Sequence, residues 1–187
     1  MGNFSKIFTI CIIFLLSFSV NASNEKEDID TIMENLSKIA MQGNQAEFIS
    51  YINKHSLIGK KDKDGDSPIM LAAALGLDEA LSELVSKGAD VNTTRNGKSS
   101  PLIFASFQGH TKCVQILLEN GANPNYQEPK HKFTPLIIAS GKNNFRMVKL
   151  LIKHGADPKI KAKDGVTAYL VAKSRNNEEI AKYLKSL

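Results

Sequence analysis

Residues Ser67 to Asp90 read SPIMLAAALGLDEALSELVSKGAD, and their reading decides the fold. Ser67 before Pro68 marks a helix start. A hydroxyl there can satisfy free N–H groups, and a proline at the first helical position sacrifices no hydrogen bond. The apolar run Ile69-Met70-Leu71-Ala72-Ala73 predicts a short first helix, and Gly76 predicts a reversal. A second helix follows, and Gly88 ends it, because glycine tolerates the left-handed cap conformation.

The same parts return down the chain. Ser100-Pro101-Leu102 and Thr134-Pro135-Leu136 stand 33 and 67 residues after Ser67-Pro68-Ile69, and Thr167-Ala168-Tyr169 stands 33 further on. Gly121-Ala122-Asn123 and Gly155-Ala156-Asp157 repeat Gly88-Ala89-Asp90 in the same phase. Leu84-Val85, Leu117-Leu118 and Leu151-Ile152 keep step between the two motifs. Val114, Leu117 and Leu118 have helical spacing. Ala72, Ala73, Ala105 and Ala139 are small enough to let neighbouring helices approach. Asp64-Gly65, Asn96-Gly97 and Asp164-Gly165 predict tight turns between units. Gly43, Gly76 and Gly109 are 33 apart, so a degenerate copy precedes Lys60.

Two motifs in fixed phase give the chain a resemblance to ankyrin-repeat proteins, whose unit is a β-turn plus two antiparallel helices. It resembles the small, secreted, bacterial type. The resemblance covers about residues 62–187 well and 28–58 weakly. It implies an all-α solenoid of stacked helix-turn-helix units joined by β-turn fingers. The expected organisation is a helical cap at 23–58 and a repeat domain at 59–187. Full repeats fall at about 64–93, 96–126 and 131–160, with a capping repeat at 164–187. Glu178, Glu179, Lys182 and Lys185 suit a solvated last helix, since end units of a stack must be more polar. The family's histidine after Thr-Pro-Leu is replaced by Met70, Ile103, Ile137 and Leu170. The third full repeat lacks the turn glycine and carries an extra residue near Glu128-Pro129-Lys130-His131, so its finger should be longer.

The family binds proteins on fingers and inner helices. Carried over position by position, this implies finger candidates Lys63, Asp66, Arg95, Asn96, Ser99, Lys130, His131, Phe133, Lys163 and Val166. The inner-helix candidates are Ala74, Leu75, Phe107, Gln108, Lys142, Ser174 and Arg175. Phe107 and Phe133 either pack between repeats or stand exposed as anchors beside Arg95 and Arg175. Three fingers carry a basic surplus: Arg95 and Lys98; Lys130 and Lys132 against Glu128; Lys159, Lys161 and Lys163 against Asp164. That edge either solubilises the protein or steers an acidic protein partner toward it.

The rest of the chain bounds the answer. It has 187 residues, 24 Lys+Arg against 19 Asp+Glu, 42% hydrophobic and 7% aromatic residues, and two Cys. This composition excludes a disordered tail, a collagen and a disulfide-stapled mini-protein. The net charge of +5 is too mild to argue for nucleic acid, and no aromatics interleave the basic residues. After Lys6, the apolar run Ile7 to Val20 and Val20-Asn21-Ala22 form the pattern of a secretory signal peptide, residues 1–22. The run is short for a bilayer span of about 17–25 residues, so no stable membrane insertion is expected after cleavage. Cleavage removes Cys11 and leaves Cys113 unable to pair internally; on its helical pattern it reads as a small packed residue.

No catalytic or cofactor motif appears. His55, His110, His131 and His154 show no zinc-like spacing, with His110 reading as a local cap or turn residue and His154 as a helix-end group. Asp62, Asp64 and Asp66 are spaced like a calcium loop, but Ala73 stands where the bidentate glutamate belongs. No nucleophile elbow or phosphate loop is present. The expectation is an exported, non-enzymatic protein-binding module, monomeric when unbound, with no metal and no cofactor. By analogy of export plus fold it would be a periplasmic inhibitor or immunity protein against a toxin. The alternatives are a secreted effector binding a host protein, or an enzyme with a dispersed site.

Overall fold

The structure, a computed structural model, describes residues 28–187; the expected signal segment 1–22 lies outside the described residues. Ten helices and no strand occur among the described residues. They form five antiparallel hairpins: α1 (Ile29–Met41) with α2 (Gln45–His55), α3 (Pro68–Leu75) with α4 (Asp78–Ser86), α5 (Pro101–Gln108) with α6 (Thr111–Glu119), α7 (Pro135–Gly141) with α8 (Phe145–Lys153), and α9 (Ala168–Ser174) with α10 (Glu178–Lys185). The odd-numbered helices pack side by side as an inner row, and the even-numbered ones as an outer row. The all-α repeat solenoid is therefore borne out.

Each hairpin follows from its residues. Ser100, Thr134 and Thr167 accept the amides of Ile103, Ile137 and Leu170 at 3.4, 3.2 and 3.4 Å, which caps three inner helices. Ser67 holds the same position but makes no such bond, and its buried hydroxyl has no partner. Ala72, Ala105, Ala139 and Ala172 are completely buried in register, where the inner helices touch. Outer helices are amphipathic: Leu81, Val114, Leu117, Val148, Leu151 and Ile180 are fully buried on their inward side. Burying each such side chain contributes roughly 1.5–3 kcal/mol. Cys113 is buried among them, and burial pushes its thiol up to about 11, so it stays a protonated packing group.

Met70, Ile103 and Ile137, in the place of the family's histidine, are buried between hairpins. Leu170 holds the same place on α9 and is 45% exposed, since no further hairpin among the described residues packs over it.

Polar joints between hairpins supplement the core. Asn92 accepts the amide of Asn123 at 2.9 Å and donates to the Gly121 carbonyl at 3.0 Å. Asn125 repeats this on Asp157 and Gly155 at 2.8 and 3.0 Å. The His110 ring reaches back to the Ala74 carbonyl at 3.2 Å, so its role is to join two hairpins rather than to cap its own. Asn177 donates to the Ser140 carbonyl at 2.7 Å from the equivalent place.

Candidate functional site

The fingers are hairpin turns built to one plan. The N–H of Asp62, Arg95, Glu128 and Ala162 donates to the carbonyl of Asp66, Ser99, Phe133 and Val166, at 2.9–3.1 Å. The third loop spans one residue more, as the sequence requires. Where the first and fourth fingers use Gly65 and Gly165, Lys132 takes the left-handed conformation, with φ 59°. That costs roughly 1–2 kcal/mol, and the Glu128 carboxylate offsets it by accepting the amides of Lys130, His131 and Phe133 at 2.8, 2.6 and 3.4 Å. Burial pushes the Glu128 carboxyl up, but those three amides and the His131 ring together outweigh burial and hold it below its ordinary value.

The second finger departs from the expected register. Its glycine, Gly97, comes one residue early relative to Gly65, so both Asn96 and Gly97 have positive φ, 46° and 73°. The resulting turn lays Asn96 over the preceding finger, where its side chain donates to the Asp64 carbonyl at 2.8 Å. Arg95 pairs with Asp66 at 3.1 Å. Burial pushes the Asp66 carboxyl up, with Arg95 opposing and Asp62 and Asp64 adding to the rise. Three finger candidates, Asp66, Arg95 and Asn96, are thus engaged in finger-to-finger contacts. This also takes one charge out of the basic edge. The Asp62 carboxylate accepts the amides of Asp64 and Asp66 at 2.9 and 2.8 Å, so the acidic triplet serves its own turn.

Other candidates remain on the surface. Lys63, Lys130, His131, Lys163, Gln108, Lys142, Ser174 and Arg175 are exposed, while Ser99, Val166 and Ala74 are half-buried. Leu75 is 38% and Phe107 43% exposed. Phe133 is half-buried against the core and stacks on the His131 ring at 5.3 Å. The two phenylalanines thus part company: Phe107 presents its ring to solvent and Phe133 packs.

Several of these residues meet. A cleft of about 500 Å³ opens between the inner helices and the third and fourth fingers. Phe107, Phe133, Ile138, Val171 and Val166 make it apolar, and Lys142 and Arg175 stand at it. Gly141 on α7 holds the position that Phe107 holds on α5, and its missing side chain lets Val171 and Arg175 approach the helix closely. A Cβ there would come 3.0 Å from Val171 Cγ1. Reading the motifs hairpin by hairpin passed over Ile138, Gly141 and Val171. The replacement of Phe107 by Gly141 in register was the available signal.

Among the described residues, no group of three or more His, Cys, Asp or Glu could hold a metal ion. His55 stacks on Tyr51, and His154 follows α8 as its C-cap. No helix among the described residues is long and apolar enough to cross a membrane.

Comparison with known proteins agrees with this architecture. A family model described as ankyrin repeats in three copies matches residues 36–128 and again 102–187. The chain is 35% identical over 79 residues to the ankyrin repeat and KH domain-containing protein mask-1 of Caenorhabditis elegans, covering 41% of this chain and 3% of that protein. It is 38% identical over 66 residues to the E3 ubiquitin-protein ligase KEG of Arabidopsis thaliana, covering 34% and 4%. It is 31% identical over 80 residues to human neurogenic locus notch homolog protein 2, covering 43% and 3%. The matched stretch is a small fraction of each of these relatives.

Proposed function

The chain belongs to the ankyrin-repeat family, and from that premise we propose an exported protein-protein interaction module that grips a partner protein through its inner helices and fingers. The repeats make it an interaction module; such proteins are typically non-enzymatic. The observation that carries the reading is the exposed Phe107 beside Lys142 and Arg175, on the side where fingers and inner helices meet. A stacked core presents these groups on a rigid frame, which lowers the entropy cost of association.

Export is argued from the leader pattern of residues 1–22, which supports a mature protein in the periplasm or outside the cell. By analogy of export plus fold, we read it there as an inhibitor or immunity protein that holds a toxin inactive. The basic fingers, with Lys98, Lys130, Lys132, Lys159, Lys161 and Lys163 exposed, favour an acidic patch on that partner.

The test is affinity capture from the cell envelope, using protein purified after expression of the full chain. A secreted toxin encoded beside the gene is the expected catch. Charge reversal by Lys130→Glu with Lys163→Glu should weaken capture and its salt dependence. Fractionation checks export: protein found only in the cytoplasm would sink it, and protein recovered from the medium would favour a host-directed effector. A deletion strain that survives every neighbouring toxin would end the immunity reading.

A further inference from the structure

We propose that the cleft between α5, α7, α9 and the last two fingers takes a partner segment in which an aromatic or branched aliphatic side chain stands beside a carboxylate. This rests on the interaction reading and narrows it to one place and one chemistry. The floor is apolar and open: Phe107 is 43% exposed, with Ile138, Val171 and Val166 around it. Gly141, in register with Phe107, has no side chain, and that lets Val171 and Arg175 come up close to α7 beside this floor.

The rim is cationic and unspent. Among the described residues, neither Lys142 nor Arg175 has an ion-pair partner. Arg175 donates one N–H to the Gly141 carbonyl at 3.4 Å, which leaves most of its fork free for a carboxylate. Asp164 is the acid in the lining, and it accepts the Val166 amide at 3.2 Å within its own turn. Lys130 and Lys163 stand exposed on the adjoining fingers and add to the positive field.

Register shows that this chemistry is local. The positions of Lys142 and Arg175 are filled in the earlier hairpins by Leu75 and Gln108, which carry no charge. Two cations beside an apolar floor therefore arise only at the last joint of the inner row. A purely acidic segment would leave Phe107 in water. A purely apolar one would cover Lys142 and Arg175 without pairing them, and burying an unpaired charge is costly. A segment with both groups satisfies both.

The experiment pans a phage-displayed random-peptide library against protein purified after expression of the full chain. Enriched peptides should pair Phe, Tyr, Leu or Ile with a neighbouring Asp or Glu. Binding of a synthetic enriched peptide should fall about tenfold in Phe107→Ala and again in Arg175→Gln, and Asp→Asn in the peptide should remove the Arg175 effect. Both residues are exposed, and circular dichroism checks that each variant folds. Enriched peptides without an acid, or binding indifferent to both variants, would overturn the inference. Peptides that respond to Leu75→Ala instead would overturn it while leaving the wider face as an interaction surface. No enrichment also overturns it, and the interaction reading is then judged by envelope capture.

Discussion

Gly65 lies where one finger meets the next. Its φ is +80°, and a methyl group there would come 2.8 Å from the backbone nitrogen of Asn96 as well as striking its side chain. Gly65→Ala should therefore cost about 2–4 kcal/mol in urea unfolding, from backbone strain plus overpacking. Gly97→Ala has similar strain, with φ +73° but nothing within 4 Å, and should cost about 1–2 kcal/mol. Equal costs would show that the close approach to Asn96 does not matter. Glu128 gives a second residue-level prediction. Its folded carboxyl is held below the ordinary value of 4.5. Its contribution is thus present above the unfolded pKa and is lost as pH falls through the depressed folded value. Glu128→Gln should destabilise by about 1–2 kcal/mol at neutral pH. It should also flatten the fall in Tm between neutral pH and about pH 3; parallel curves for both proteins would refute this.

At the scale of elements, the Asn92 and Asn125 bonds hold adjacent hairpins in phase. Asn125→Ala removes two hydrogen bonds to the Gly155–Asp157 turn and should cost about 1–2 kcal/mol, read from the chemical-denaturation midpoint. Leu170→Glu, on the uncovered side of α9, should stay within about 0.5 kcal/mol of the parent. Ile137→Glu in the same register on α7 should prevent folding, because that position is 97% buried. The helices were legible in the sequence because Ser/Thr-Pro and Gly-Ala-Asp act within one hairpin, and each part works on the backbone next to it. The second finger was harder to read: Asn96-Gly97 looks like Asp64-Gly65 until one counts 32 residues instead of 33 between the glycines. His110 misled for a related reason. Its bond to Ala74 crosses a joint, and chain order does not display joints. The cleft draws side chains from three hairpins; Phe107, Phe133, Val166, Lys142, Ser174 and Arg175 could be named from single motifs, whereas Ile138, Gly141 and Val171 could not.

At the scale of the molecule, each hairpin is stabilised chiefly by its neighbours, and among the described residues the first and last hairpins pack against one neighbour where the others pack against two. Gly59 stands where Asn92 and Asn125 stand in later copies, so the first joint lacks that grip and relies on Gln45, which accepts the amides of Glu79 and Ala80. Amide exchange in α5 and α7 should be at least roughly tenfold slower than in α1 and α10; uniform protection would mean the stack opens as one unit. The asparagine joints also say how such a protein can grow. Asn92 addresses only backbone of the Gly121–Asn123 turn, and Asn125 addresses only backbone of Gly155 and Asp157. A duplicate of residues 94–126 spliced in after Tyr126 would meet a matching latch on both sides. Beyond the third full repeat the latch position is Lys159, so a duplication there would arrive without one, and lengthening by copying is open in the interior and closed near that end.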